Sequence, residues 1–163
     1  MKTTRETPSG LSFGRLSEDI AFLTRILRTK IQERNSGFFA AHDVAGGEVA
    51  VLNLIHTNPG LTQKDLSHMV VLRKSALTKL INEMERSGLI ERRKEGSDKR
   101  LNALYLTREG TARLAPMQSD MTALQEELLA PLSPAERAIL FELLWKLIDD
   151  PSVGSSGGPG QTS

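Results

Sequence analysis

Apolar residues return at helical spacing over most of the chain. Leu16, Ile20, Leu23, Ile26, Leu27 and Ile31 recur at helical spacing, and Ser17 with Glu18 and Asp19 supplies a polar start, which predicts a first long helix over about 16 to 34. The segment NSGFFAAHDVAGG, 35–47, is expected to interrupt it. A second helix is predicted over about 47 to 57 through Val49, Val51, Leu52, Leu54 and Ile55, and Asn58-Pro59-Gly60 stops it. Apolar segments flank it, so it should be central.

Thr62-Gln63-Lys64-Asp65 has the form of a capping box, in which a Thr oxygen and a carboxylate satisfy the free amides of a helix start. A short third helix should follow to about Met69. A fourth is expected from Lys74 to Ser87, ending at Gly88. The short gap between them is that of a helix-turn-helix. Leu89 to Lys94 and Leu101 to Leu106 then read as two strands of a hairpin with a long loop. Thr107 should cap a fifth helix carrying Leu114, Met117, Met121, Leu124 and Leu128, in which Pro116 is expected to kink or divide the axis. Ser133-Pro134-Ala135-Glu136 opens a sixth, with Ile139, Leu140, Leu143, Leu144, Leu147 and Ile148 as its apolar face.

The two ends lack this pattern. Residues 1–15 are polar with Pro8, Gly10 and Gly14 and are expected to form a flexible arm; 151–163, PSVGSSGGPGQTS, should be a disordered tail. With 163 residues, 39% hydrophobic and only 4% aromatic, the rest suits one aliphatic, helix-rich unit. No Cys is present, which excludes disulfides and thiolate chemistry, and no apolar run approaches the ~18 residues of a membrane span. A soluble, cytoplasmic protein without membrane partners is expected.

The net charge of +1 conceals a lopsided distribution. Between Arg73 and Arg100 nine Lys or Arg stand against five acids, a net +4; between Glu109 and Asp150 three bases stand against eight acids, a net −5. The run RRKEGSDKR, 92–100, concentrates cations on the hairpin. On the fourth helix, at about 100° per residue, Ser75, Thr78, Lys79 and Asn82 fall on one side and Leu77, Leu80, Ile81 and Met84 on the other. One side is a core stripe. Short polar groups and cations on the other let a helix approach a duplex closely and meet phosphates and base edges.

Enzyme chemistry finds no support. The chain lacks a phosphate-binding Gly-rich loop with Lys, a Gly-x-Ser-x-Gly, a His-Glu-x-x-His and any Cys nucleophile. His42, His56 and His68 match no zinc-ligand spacing, and nothing calls for a metal or cofactor.

The run Leu61 to Gly110 resembles the winged-helix core of the MarR family of bacterial transcriptional regulators. It shares the Leu-Thr-Gln-x-x-Leu opening, the Glu-x-x-Gly-Leu-Ile end of the recognition helix, Asp98-x-Arg100 in the wing, and Leu106-Thr107 followed by Glu109-Gly110. The likeness extends over about residues 16 to 150. It implies a mainly α fold with a small β-hairpin: a winged helix-turn-helix domain over 46–106, and a helical dimerisation region built from 16–45 and 107–150. The implied function is a homodimeric, sequence-specific regulator of transcription. It would be a repressor released from a palindromic operator by a small ligand, such as an aromatic acid or its thioester. A winged-helix DNA-binding or architectural protein without an inducer is the alternative.

On that reading Lys74, Ser75, Thr78, Lys79 and Asn82 meet the major groove of double-stranded DNA. Arg100 grips the minor groove or its phosphates, and Arg92, Arg93, Lys94 and Lys99 meet phosphates. Asp98 would pair with Arg92 or Arg93 and shape the wing. Arg73 stands where relatives often carry a capping Asp or Ser; it cannot cap and is expected to reach a phosphate. Phe38, Phe39, His42 and Arg15 are the candidates for ligand contact, with Phe13 folding over them.

Overall fold

A computed structural model describes residues 10–94 and 102–149. The helices are α1 (Ile20–His42), α2 (Gly46–Thr57), α3 (Gln63–Met69), α4 (Lys74–Arg86), α5 (Arg108–Leu129) and α6 (Pro134–Ile148), with a 3-10 turn (Gly14–Glu18) before α1. The strands β1 (Ile90–Lys94) and β2 (Asn102–Leu106) lie between α4 and α5. No single helix among the described residues is long and apolar enough to cross a membrane.

Two expectations for the first helix are corrected. Its start lies later than Ser17: Asp19 is the N-cap, its carboxylate accepting from Phe22 N at 2.7 Å, while Ser17 belongs to the 3-10 turn. Its end lies later too, because 35–42 are helical rather than an interruption. A helical Gly costs about 1 kcal/mol against Ala; burial of Phe38 against α2 and its neighbours in the core outweighs that cost at Gly37. The chain turns only at Asp43, in the left-handed region at φ 48.

By its contacts the chain divides into two compact units, Met1–Leu124 and Gln125–Ser163. In the first, α2 is central as expected: Val49, Val51, Leu52 and Ile55 are buried, with Phe38 of α1, Leu66 of α3, Leu77, Ile81 and Met84 of α4, and Leu114 and Met117 of α5 around them. Each fully buried aliphatic side chain stabilises the fold by about 1.5–3 kcal/mol.

The hairpin is antiparallel, with Ile90 opposite Leu106, Arg92 opposite Leu104 and Lys94 opposite Asn102. Ile90 and Leu104 face the core. Leu61 and Gly60 exchange backbone bonds with Leu104, 2.9 Å each, which stitches the start of α3 to β2. The Thr62–Asp65 box forms, with Asp65 Oδ2 accepting from Thr62 N at 2.7 Å and Thr62 Oγ1 accepting from Asp65 N at 3.2 Å. Thr107 caps α5, its hydroxyl accepting from Gly110 N at 3.0 Å and donating to the Gly88 carbonyl at 2.6 Å. Pro116 does not divide α5, which runs unbroken from Arg108 to Leu129.

In the second unit α6 begins with the Ser133–Glu136 box, Glu136 Oε2 accepting from Ser133 N at 2.8 Å. Glu126 pairs with Arg137, which also donates to the carbonyls of Leu129 and Leu132. No residue of α6 is buried, although Ile139, Phe141, Leu143, Trp145, Leu147 and Ile148 are large and apolar.

Candidate nucleic-acid interface

The amphipathic split of α4 dictates how it sits. Leu77, Ile81 and Met84 are buried, which turns Lys74, Ser75, Lys79 and Asn82 outward and leaves Thr78 half-buried. Those five and Arg86 line an open concavity of about 710 Å³. Arg86, one turn beyond Asn82, was not among the expected contacts, though the same helical spacing points to it. Arg73 is the N-cap residue and makes no side-chain cap bond, as its chemistry requires.

The hydroxyl of Thr78 is committed within the fold. It donates to the Lys74 carbonyl at 2.9 Å and accepts from Gln63 Nε2 at 2.7 Å, which joins α3 to α4 across the turn. Gln63 is a second residue the sequence reading missed, and fifteen positions of separation carried no signal for it. Lys79 lies 3.8 Å from Glu83, an exposed pair that leaves the ammonium free to exchange partners.

On the hairpin the cations divide. Arg92 is held by Glu85, and its Nη2 donates to Asn82 Oδ1 at 2.8 Å; its side chain is only 25% exposed. Arg93 pairs with Glu91 and lies over the Tyr105 ring, 4.5 Å from its centroid. Lys94 is exposed at the strand end. Asp98, Lys99 and Arg100 lie outside the described residues.

Of the four residues proposed for a small ligand, Phe38, Phe39 and His42 lie together and Arg15 stands apart from them. Phe38 is buried in the core, Phe39 packs against it in an edge-on ring pair at 5.3 Å, and the His42 ring lies 4.7 Å from Phe38 with Nε2 bonded to Asp120 at 2.7 Å. Phe13 packs instead on Phe22, 5.9 Å away, and Arg15 is exposed beside it. Because α1 continues to His42, the sixteen residues from Phe22 to Phe38 hold the two clusters about 24 Å apart along the helix.

Residues 42–101 match the profile of the MarR family. The transcriptional regulator HosA of Escherichia coli O127:H6 is 31% identical over 107 residues, 66% of this chain and 79% of HosA. The chain belongs to the MarR family. A Thauera aromatica protein named for the hcr operon is 34% identical over 104 residues, and the aligned stretch spans 63% of its length. Among solved structures, PcaV of Streptomyces coelicolor, in complex with its natural ligand, is 25% identical with a TM-score of 0.70, covering 83% of this chain and 95% of PcaV. The repressor CouR bound to a 23-mer DNA duplex shares the fold at 24% identity and a TM-score of 0.75, over 85% of this chain and 98% of CouR. This MarR-family chain is thus a winged-helix, DNA-binding transcriptional regulator, and its homologues and fold are those of regulators, not enzymes.

Proposed function

We propose that the protein is a cytoplasmic, homodimeric repressor that binds a palindromic operator and leaves it when a small aromatic acid or its thioester binds. One observation carries the DNA half of this reading: α4 buries its apolar stripe and presents Lys74, Ser75, Thr78, Lys79 and Asn82 along one open face. Such a face fits the major groove. On this reading Lys94 and the sequence-expected Lys99 meet phosphates, the sequence-expected Arg100 grips the minor groove or its phosphates, and Arg73 reaches a phosphate ahead of α4. One recognition helix reads too few base pairs for a unique site, so two copies are required, with half-site centres about 34–36 Å apart. Exposed Ile20, Leu23 and Leu27 in the first unit, and the uncovered α6 in the second, supply the apolar surface for dimerisation.

Selection of bound duplexes from a random pool tests this reading. An inverted repeat with about one helical turn between half-site centres is expected; a single unrepeated site defeats it.

The ligand half takes its support from PcaV and from the Phe38, Phe39 and His42 cluster. A second reading, a DNA-binding protein without an inducer, is favoured by the engagement of the His42 ring with Asp120 and of Phe38 with the core. A thermal-shift screen of phenolic acids and their thioesters separates the two: a saturable rise in Tm supports the inducer, and its absence across the set supports the second reading.

A further inference from the structure

We infer that the hydrogen-bonding polarity of Asn82 is set inside the fold before DNA arrives, so that it offers the major groove N–H donors and selects guanine over adenine. The inference rests on the reading of α4 as the recognition helix. Asn82 is exposed, and its Oδ1 accepts from Arg92 Nη2 at 2.8 Å. A guanidinium carries only donors, so the carbonyl side of the amide alone can face it. The two orientations of the amide are therefore not interchangeable. Arg92 stands on β1, is anchored through its other terminal nitrogen by Glu85, and is mostly covered, so it holds the carbonyl from behind rather than swinging to solvent.

The consequence follows from base chemistry. A free Asn reads adenine with two bonds, its carbonyl accepting from N6 and its amide donating to N7. With one of its two lone pairs taken by Arg92 and the carbonyl turned toward β1, the acceptor is less available to the adenine amino group than the NH2 is to a base acceptor. Guanine presents N7 and O6, both acceptors, and suits the NH2 that remains. Thr78 on the same face has likewise spent its single proton on the Lys74 carbonyl, so it brings a methyl rather than a donor to the duplex. Arg92 is then a positioning residue for specificity and not a phosphate contact.

The test compares duplexes selected from a random pool by the full chain and by its Asn82→Ala, Asn82→Asp, Arg92→Ala and Lys79→Ala variants. Asn82→Ala should flatten preference at one position per half-site. There the unaltered chain should take guanine over adenine by about fivefold or more, and Arg92→Ala should admit adenine to within about twofold. Asn82→Asp changes an exposed residue that still accepts from Arg92, so it folds even if Arg92→Ala does not, and it should lose the guanine preference. Adenine favoured by the unaltered chain, no position flattened by Asn82→Ala, or guanine retained by Asn82→Asp overturns the inference. So does a uniform loss of affinity in Arg92→Ala with an unchanged base profile and a salt slope reduced by about 1, the signature of a phosphate contact. Lys79→Ala isolates the parent reading. A uniform affinity loss there places α4 on the duplex whatever Asn82 does, whereas unchanged affinity in both Lys79→Ala and Asn82→Ala removes the parent reading along with the inference.

Discussion

Arg113 of α5 donates from one terminal nitrogen to the carbonyl oxygens of both His42 and Asp43, 3.2 Å each, and its Nε lies 3.4 Å from Glu48 Oε1. A single guanidinium thus satisfies carbonyls at the end of α1 and the left-handed residue that closes it, and joins them to the first turn of α2. Hydrogen bonds from a charged donor contribute about 1.5–3 kcal/mol. With the side chain one-third exposed, Arg113→Ala should lower stability by about 1–2 kcal/mol, read as a shift of the urea midpoint at constant slope. Arg113→Lys should recover little, because an ammonium cannot span three acceptors in a plane. A midpoint unchanged in the Ala variant contradicts this role.

Gly110 has no room for a side chain. A Cβ built there falls 2.0 Å from the Leu89 carbonyl oxygen and 2.9 Å from its carbon, and both are backbone atoms that cannot rotate away. The same carbonyl accepts from Thr107 N at 3.0 Å, so moving it disturbs the junction of β1, β2 and α5. Gly110→Ala should therefore cost about 3 kcal/mol. Gly88→Ala makes a useful comparison, since open space surrounds it and its cost comes only from φ +71, at about 1 kcal/mol. Equal losses in the two variants contradict the steric account of Gly110.

These contrasts show what could be read from the chain in advance. Both capping boxes were legible because partners three residues apart interact whatever surrounds them, and the Leu77, Ile81 and Met84 stripe was legible because periodicity reports which side is buried. The extension of α1 through Gly37 was not: local propensity marks a break there, and a tertiary contact of Phe38 overrides it. That one misreading also displaced Arg15 and Phe13 from the aromatic cluster. The roles of Arg92 and Gln63 stayed hidden for a different reason. Their partners, Asn82 and Glu85 in one case and Thr78 in the other, become neighbours only when the hairpin and α3 close on α4.

Two carboxylates make the stability of the helix starts depend on acid. Hydrogen bonds from the Thr62 hydroxyl and backbone amide hold Asp65 below the usual carboxylate range, and bonds from the Ser133 amide and hydroxyl do the same for Glu136. Both folded-state values are lowered. The capping contribution is accordingly complete above the ordinary carboxylate values, near 4, and is lost as pH falls through the lowered ones. The doubly substituted Asp65→Asn, Glu136→Gln chain should melt below the parent at neutral pH, and the two Tm curves should converge under acid conditions. Parallel curves down to pH 2 would falsify the assignment.

Dimerisation should be separable from folding. Leu27 on α1 and Leu147 on α6 are about half exposed and absent from the core cluster, so charging them disturbs little packing within either unit. Leu27→Glu or Leu147→Glu should leave the far-ultraviolet circular dichroism spectrum intact. Each should shift the sedimentation coefficient toward the monomer and weaken operator binding tenfold or more, about 1.4 kcal/mol, through loss of the second half-site. A monomeric parent chain at micromolar concentration contradicts the proposal outright.

The cations on α4 and on the wing should differ in what their removal costs. Lys79 is exposed beside Glu83, and its ammonium can reach a phosphate without giving up a fixed partner, so Lys79→Ala should weaken binding evenly across sequences and reduce the salt slope by about 1. Arg100, matched by motif to the minor-groove residue of the wing, should cost about 1–3 kcal/mol as Arg100→Ala, with the loss concentrated on A·T-rich flanks where the groove is narrow. Competition gel shifts with flanks of either composition, at two salt concentrations, read both effects in one experiment. A flank-independent loss in Arg100→Ala demotes that residue to a phosphate contact, and an unchanged affinity removes it from the interface.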